Sequence, residues 1–324
     1  MLSSDVVVVG GGQAGLAAAF YLRRAGIDHV VLDAQPVPGG AWPLTWNSLR
    51  LFSVARHSSL PGRPMPSFPD GYPTAQHVVD YLTAYEKRYD IPVQRPVQVQ
   101  SVTRDGARLL VHTDSGTWTA RHVISATGTW WRPFRLLLDL PARQLHTVDY
   151  REPLDFAGQK VVVVGGGNSG AQIAADLVPH TELTWMTRRP PRYLPDEIDG
   201  KALFDIATRH GSVSELGDIV AVPPVREARD NGLLVATPMD AEALSDADAV
   251  LWCTGFRPAL SHLAPLRLRN TEGHVAVNGT TAVDEPRVHL LGYGGWTGPA
   301  SATLIGVGPT AKATVAKIAA SIRP

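Results

Sequence analysis

One short phrase occurs twice in this chain, and few folds accommodate it. Val6-Val7-Val8-Val9 runs into Gly10-Gly11-Gly12-Gln13-Ala14-Gly15, and Val161-Val162-Val163-Val164 runs into Gly165-Gly166-Gly167-Asn168-Ser169-Gly170. An unbroken β-branched run reads as a strand of a parallel sheet, buried on both faces. The glycines that follow allow a tight turn, a close approach of backbone to a phosphate, and close packing of helix on strand. Alanine-rich stretches (residues 16–21 and 171–177) then read as helices whose N-termini offer free N–H groups and the positive end of a dipole. Each unit closes on another apolar strand, Val30-Val31-Leu32 and Leu183-Thr184-Trp185. Two such βαβ units predict two dinucleotide sites, and two dinucleotides in one chain imply electron transfer between them.

The end of the second strand in each unit separates the two ligands. Asp33 stands eighteen residues after Gly15. A carboxylate there accepts hydrogen bonds from ribose hydroxyls and repels a 2′-phosphate, which suits the AMP ribose of FAD or NAD. The matching place in the second unit carries Arg188-Arg189, whose guanidinium groups pair with a 2′-phosphate and favour NADPH over NADH. The N-terminal unit is therefore expected to bind FAD through Gly10, Gly12, Gln13, Ala14, Gly15, Asp33 and Ala34. The second is expected to bind NADPH through Gly165, Gly167, Asn168, Ser169, Gly170, Arg188 and Arg189. Ala126-Thr127-Gly128 and Cys253-Thr254-Gly255 both end an apolar strand in Thr-Gly, where the chain of a two-dinucleotide flavoprotein crosses between domains. Gly40, Ala41 and Trp42, after Gly39, can pass close to the isoalloxazine, and Val99 falls where backbone would edge the adenine.

This order predicts an α/β fold of two Rossmann-like dinucleotide-binding domains. The NADPH domain (133–249) is inserted into the FAD domain (1–132 and 250–324). The long loop 34–73, rich in Pro, Gly, Trp and Ser, is expected to wall the flavin and substrate. Thr74 should cap a helix reaching about Tyr89, with Val78, Tyr81, Leu82 and Tyr85 at helical spacing. The run Val222-Pro223-Pro224-Val225-Arg226 is expected to break any helix, and a last helix is expected over 299–322.

Charge and cysteine content narrow the partners. Thirty basic residues balance thirty acidic ones, which argues against nucleic acid or an anionic membrane as an electrostatic partner. No stretch approaches the ~20 apolar residues of a membrane span, and a first strand from Asp5 leaves no room for a signal peptide. The single cysteine, Cys253, excludes an internal disulfide and a C-x-x-C dithiol. A cytoplasmic enzyme is the expectation, with a small-molecule substrate and O2 as partners and a homodimer as one compatible assembly. No metal-ligand spacing and no nucleophilic triad stand out.

The combination of both glycine turns, Asp33, Gly39-Gly40-Ala41-Trp42, Ala126-Thr127-Gly128, His146, Arg188-Arg189 and Cys253-Thr254-Gly255-Phe256 is similar to the class B flavin-dependent monooxygenases and their shorter bacterial relatives. More narrowly, Ser48-Leu49-Arg50-Leu51-Phe52-Ser53, Ser58-Ser59-Leu60-Pro61-Gly62 and the segments 165–172, 252–260 and 292–308 resemble the ArsO group, flavin monooxygenases associated with arsenic-resistance operons. The resemblance implies that NADPH reduces FAD. Reduced flavin would then add O2 at C4a, and the resulting (hydro)peroxyflavin would oxygenate a trivalent arsenical, a nitrogen or sulfur compound, or a ketone.

The chain departs from that family at three places. The family fingerprint F-x-G-x-x-x-H-x-x-x-(W/Y) meets Leu140 and Ala142 in place of Phe and Gly, although His146 and Tyr150 fit. Gly294-Gly295-Trp296 stands where relatives carry Gly-Asp, so Gly295 would meet the flavin through backbone alone. Phe52 occupies the region of an Asn found in animal-type members. Because the flavin carries the chemistry, no catalytic side chain is assigned. Trp42, Phe52, Arg56, His57 and Trp296 are the pocket candidates, with Trp46, Trp130 and Trp131 as further aromatic ones. The alternatives are a flavin reductase passing electrons to a partner protein or quinone, similar to thioredoxin reductase without its dithiol, and a non-catalytic redox sensor.

Overall fold

The two valine runs form the central strands of two sheets. The computed structural model describes residues 2–69, 71–136, 138–196, 198, 202, 205–206, 217–271 and 273–322. In the first sheet β1 (Leu2–Val9) leads into α1 (Gln13–Arg24) and β2 (His29–Leu32), which pairs with β1 in parallel. The sheet continues through α2 (Ala75–Arg88), β3 (Val93–Gln94), β4 (Val99–Asp105), β5 (Arg108–Thr113) and β6 (Gly116–Ser125). It is completed much later by β12 (Val277–Asn278), β13 (Thr281–Ala282) and β14 (Val288–Leu290). The order is β12-β13-β14-β6-β1-β2-β3, with β4 and β5 folded back antiparallel beside β6.

The second sheet is wholly parallel. It contains β7 (Arg143–His146), β8 (Lys160–Val164), β9 (Glu182–Met186), β10 (Ala236–Thr237) and β11 (Ala249–Trp252), in the order β10-β9-β8-β11-β7. Helix α3 (Asn168–Leu177) connects β8 to β9, and α4 (Pro223–Asp230) and α5 (Ala241–Ser245) follow. The chain ends in α6 (Val307–Ile322), which packs on α1. Two Rossmann-type halves, the second inserted in the first, are thus present.

Burial explains why the runs are all valine. Val6 and Val8 join the core beneath α1, α2 and α6, while Val7 and Val9 join the core on the opposite face, against β4, β5 and residues 260–268. Val161 and Val163 likewise face one core, and Val162 and Val164 another. A strand covered on both faces has no position for a polar residue, so alternation disappears.

Three expectations need correction. The return to the first domain was placed at 250, but β11 is hydrogen-bonded between β8 and β7, so the crossing follows Trp252. Val250-Leu251-Trp252 is apolar enough for either sheet, and only its pairing decides. Pro223 and Pro224 open a helix rather than break one, because they occupy its first positions, where no intrahelical N–H is needed. The last helix begins at Val307 rather than near 299. Ala300 takes a left-handed φ of 52°, and the Thr303 hydroxyl accepts the Gly306 N–H at 3.0 Å, so the chain turns before the helix starts. Thr74 does cap α2, its hydroxyl accepting the His77 N–H. Among the described residues no helix is long and apolar enough to cross a membrane.

Candidate functional site

The two glycine turns are built on one plan. Gly10 (φ 105°) and Gly165 (φ 141°) turn the chain out of β1 and β8 in a conformation that side chains resist. The Gly10 N–H donates to the Leu32 carbonyl at 2.8 Å, and the Gly165 N–H donates to that of Met186 at 2.9 Å. Ala126 and Cys253 donate in the same way, each at 2.8 Å, to the last carbonyls of the valine runs, Val9 and Val164. A Cβ on Gly10 would stand 2.6 Å from the Ala126 oxygen, and one on Gly165 would strike the Cys253 oxygen. A Cβ on Gly15 or Gly170 would strike the carbonyl of Gly10 or Gly165. The two Thr-Gly segments are therefore structural equivalents, each pressed against its own turn.

The turns present what a pyrophosphate needs. Neither α1 nor α3 has a side-chain cap at Gly12 or Gly167, so the first N–H groups of both helices are unsatisfied by side chains. A Cβ on Gly12 would find only Gly40 Cα, at 3.7 Å, and one on Gly167 would find nothing within 4 Å. Both turns face open space. The residues thus fit a dinucleotide at each turn.

A cavity of about 760 Å³ lies under the first turn, within the range of small-molecule sites. Gly10, Gly12, Gln13, Ala14, Asp33, Ala34, Gly40, Ala41, Trp42, Val99, Ala126, Thr127 and Gly128 line it, as expected of the first site. Gly15 is buried behind it, packing helix on strand. Ser169, from the second turn, also lines it, so the N-terminus of α3 opens onto the first cavity. Gly165, Gly167, Asn168 and Gly170 stay at the second turn. Arg188 and Arg189 follow β9 there, exposed and with no ion-pair partner among the described residues. Thr254 and Gly255 hold the crossover: the Thr254 hydroxyl donates to the Phe134 carbonyl, and the Gly255 carbonyl accepts the Phe134 N–H.

The pocket candidates separate. Trp42, Trp46, Trp130 and Trp131 line the cavity; Phe52, Arg56, His57, Gly295 and Trp296 do not. Phe52 packs on the core of the second sheet. Arg56 is exposed and donates to the His57 ring at 3.0 Å. Gly294 alone of its glycine pair lines the cavity, and its φ of 70° directs Trp296 onto Tyr293, with ring centroids 5.7 Å apart.

Arg95 and Glu86, beside the cavity, carried no sequence signal. Arg95 donates through Nε to Asp33 at 2.8 Å and grips both oxygens of Glu86 at 2.7 and 2.8 Å. It holds Asp33 in place. The Trp42 indole donates to Gln13 Oε1 at 3.2 Å, and Gln13 Nε2 donates to the Ala302 carbonyl at 2.6 Å, joining three walls. His146 is fully buried and faces the crossover rather than the cavity. Its Nε2–H donates to the Gly255 carbonyl at 3.1 Å, and its Nδ1 accepts the Val148 N–H. Burial pushes the Cys253 thiol up to about 12, so it stays protonated and unreactive.

Comparison with known proteins agrees with this geometry. Residues 7–288 match the family model described as pyridine nucleotide-disulphide oxidoreductase. The chain is similar to a flavin-containing monooxygenase from Stenotrophomonas maltophilia, at 47% identity over 100% of each chain with a TM-score of 0.92. It is 28% identical to the uncharacterized oxidoreductase CzcO of Bacillus subtilis, covering 95% of this chain and 97% of that one. It is also 32% identical to the probable indole-3-pyruvate monooxygenase YUCCA9 of Arabidopsis thaliana, over 62% of this chain and 51% of the plant protein.

Proposed function

The chain belongs to the pyridine nucleotide-disulphide oxidoreductase family as one of its flavin-dependent monooxygenases, and from that premise we propose that its flavin is FAD, its reductant NADPH and its substrate a small soft nucleophile or ketone. The substrate classes are those implied by the resemblance to class B flavin monooxygenases: a trivalent arsenical, a nitrogen or sulfur compound, or a ketone. Bound flavin supplies the redox chemistry, accepting hydride from the nicotinamide and activating O2 for transfer of one oxygen atom.

The observation that carries this reading is the shared cavity. Ser169 at the start of α3 lines the same space as Gly10, Gln13 and Trp42, so a nucleotide held at the second turn can reach a flavin held at the first. The chain's own residues then have distinct tasks. Uncapped N–H groups of α1 and α3 bind the two pyrophosphates. Asp33, steadied by Arg95, binds the ribose of FAD. Arg188 and Arg189, free at the surface, bind the 2′-phosphate that distinguishes NADPH. Trp42, Thr45, Trp46 and Leu49 form an uncharged wall that excludes water from the reacting atoms.

That wall also bears on the arsenical. Trivalent arsenic favours thiolates, and the one thiol here is partly buried, with its pKa pushed up to about 12, so it stays protonated. An arsenical would be held by shape and aromatic surface, as a thioether would. The test is NADPH turnover under ¹⁸O2 with trivalent arsenicals, thioethers, amines and ketones. The expected result is faster NADPH oxidation with substrate and one ¹⁸O atom per product. Sustained anaerobic turnover with a quinone, and no labelled product under ¹⁸O2, would overturn the proposal in favour of a reductase.

A further inference from the structure

Four histidines are buried among the described residues: His122, His146, His262 and His289. Three have partners. His122 and His289 bond each other at 3.2 Å, and His146 bonds Gly255. His262 has none: it is 4% exposed, its Nε2 is enclosed without a partner, and no hydrogen bond reaches its other nitrogen. It also lines the main cavity. A buried imidazole without a partner is costly, and native proteins rarely leave one. Nε2 is sealed inside the protein, so a partner from the cavity can reach only Nδ1, the ring nitrogen that is neither bonded nor enclosed.

Position and charge identify the kind of partner. His262 sits in the short 3-10 turn Ser261–Leu266, packed on β4. Leu260, Leu263 and Leu266 share one core with Val99 and Val102. The wall formed by residues 97–99 runs directly from the ribose-site acid, since the Val97 N–H donates to the Asp33 carbonyl at 2.8 Å. On the other side, the Thr127 hydroxyl donates to the Ala259 carbonyl at 2.7 Å. With pyrophosphate at Gly12 and ribose at Asp33, the base of the dinucleotide falls between the 97–99 wall and the His262 turn. Burial lowers the His262 pKa to about 4, so the ring is neutral near pH 7. The Nδ1 of a neutral imidazole donates or accepts according to its tautomer, so it can accept from an amino group or donate to a ring nitrogen of a neutral heterocycle, and it brings no charge to a phosphate.

We infer that His262 recognises the adenine base of the bound flavin dinucleotide and makes the site selective for FAD over FMN. The inference rests on the reading of the first site as an FAD site. Its test strips flavin from wild type, His262→Leu and His262→Gln and measures rebinding of FAD and FMN by flavin fluorescence. FMN lacks the whole AMP half, so it reports on the flavin end of the site, away from the base, its ribose and the second phosphate. His262→Leu is expected to weaken FAD by about tenfold and leave FMN unchanged, as loss of roughly one hydrogen bond would do. His262→Gln, which keeps a donor and an acceptor, is expected to recover most of the loss. If His262→Leu keeps the full wild-type ratio of FAD to FMN affinity, whether by losing neither or by losing both equally, the inference is overturned. A wild type that binds FMN as tightly as FAD would overturn the FAD reading itself, and this inference with it.

Discussion

A methyl group on Gly10 would meet the Ala126 carbonyl oxygen at 2.6 Å, at a φ of 105° that L residues resist anyway. Gly10→Ala is expected to destabilise the protein by about 1–3 kcal/mol and to lose flavin, read as a lower Tm and a colourless protein. Gly12→Ala separates ligand from fold. Its Cβ would touch only Gly40 Cα, at 3.7 Å, so the Tm of the flavin-free protein should hold while flavin affinity falls. A matching fall in both would show that the fold, not the ligand, needs Gly12. At the second turn, replacing Arg188 and Arg189 by Ala should raise the Kd for NADPH about ten- to a hundredfold, as loss of charge-assisted hydrogen bonds would, and leave NADH unchanged. Equal loss for both nucleotides would mean that the arginines read something other than the 2′-phosphate. These residues were legible in the sequence because each acts within a few positions of its own turn. Arg95 and Glu86 were not, since Arg95 reaches Asp33 from 62 residues away along the chain and Glu86 acts only through Arg95.

Helix α3 does two jobs along its length. Its N-terminus serves the second turn, and further on it grips the long loop of the first domain. Gln172 accepts the Arg50 N–H at 3.2 Å and donates to the Arg50 carbonyl at 3.3 Å. Asp176 accepts the Ser48 hydroxyl at 2.7 Å and the Tyr150 hydroxyl at 2.6 Å. The gripped loop supplies Thr45, Trp46 and Leu49 to the cavity wall, so its tightness governs water entry. Gln172→Leu is expected to retain flavin but to release more hydrogen peroxide per NADPH consumed. Unchanged coupling with a lower Tm would make the grip purely structural. The loop's composition marked it as a wall, but nothing local said which helix it would lean on. The double proline at 223–224 shows the same limit. Its effect depends on whether a helix is under way or about to start, and the tertiary context placed a helix start there.

Across the whole molecule, the C-terminal helix closes the first sheet over a polar chain with two buried histidines at its centre. The Ser321 hydroxyl bonds His122 at 2.9 Å, His122 bonds His289 at 3.2 Å, and His289 bonds the Thr281 hydroxyl at 3.2 Å. Burial, with Arg121 and Arg287 nearby, lowers the pKa of His122 to about 4; burial, with His122 and Lys317, lowers that of His289 to about 3. The unfolded chain takes up these protons below about 6.5, whereas the folded one refuses them until well below that value. Their contribution to stability is therefore complete above about pH 6.5 and is lost progressively as the pH falls toward 4. The Tm should drop between about pH 7 and about pH 4.5, and His289→Gln should flatten the drop. An unaltered slope in that variant would assign acid sensitivity elsewhere. The histidines occur singly in the sequence, on β6 and β14, and become a pair only because those strands are neighbours.

What the sequence determined by itself is what backbone sterics and short-range packing determine: two valine strands, two glycine turns, two helices, and a carboxylate after one turn against two arginines after the other. These follow from neighbours a few residues apart, and they sufficed for the fold class and the two glycine turns. Tertiary structure decided the rest. It placed β11 in the second sheet, put Trp42 and Trp46 on the cavity wall while packing Phe52 and Trp296 against cores, and left His262 buried and unpaired on the same cavity wall as Val99. The physical reason is distance along the chain. The contacts that set these orientations, such as Gln13 to Ala302 and Arg50 to Gln172, join residues 289 and 122 positions apart, where no local pattern records the partner.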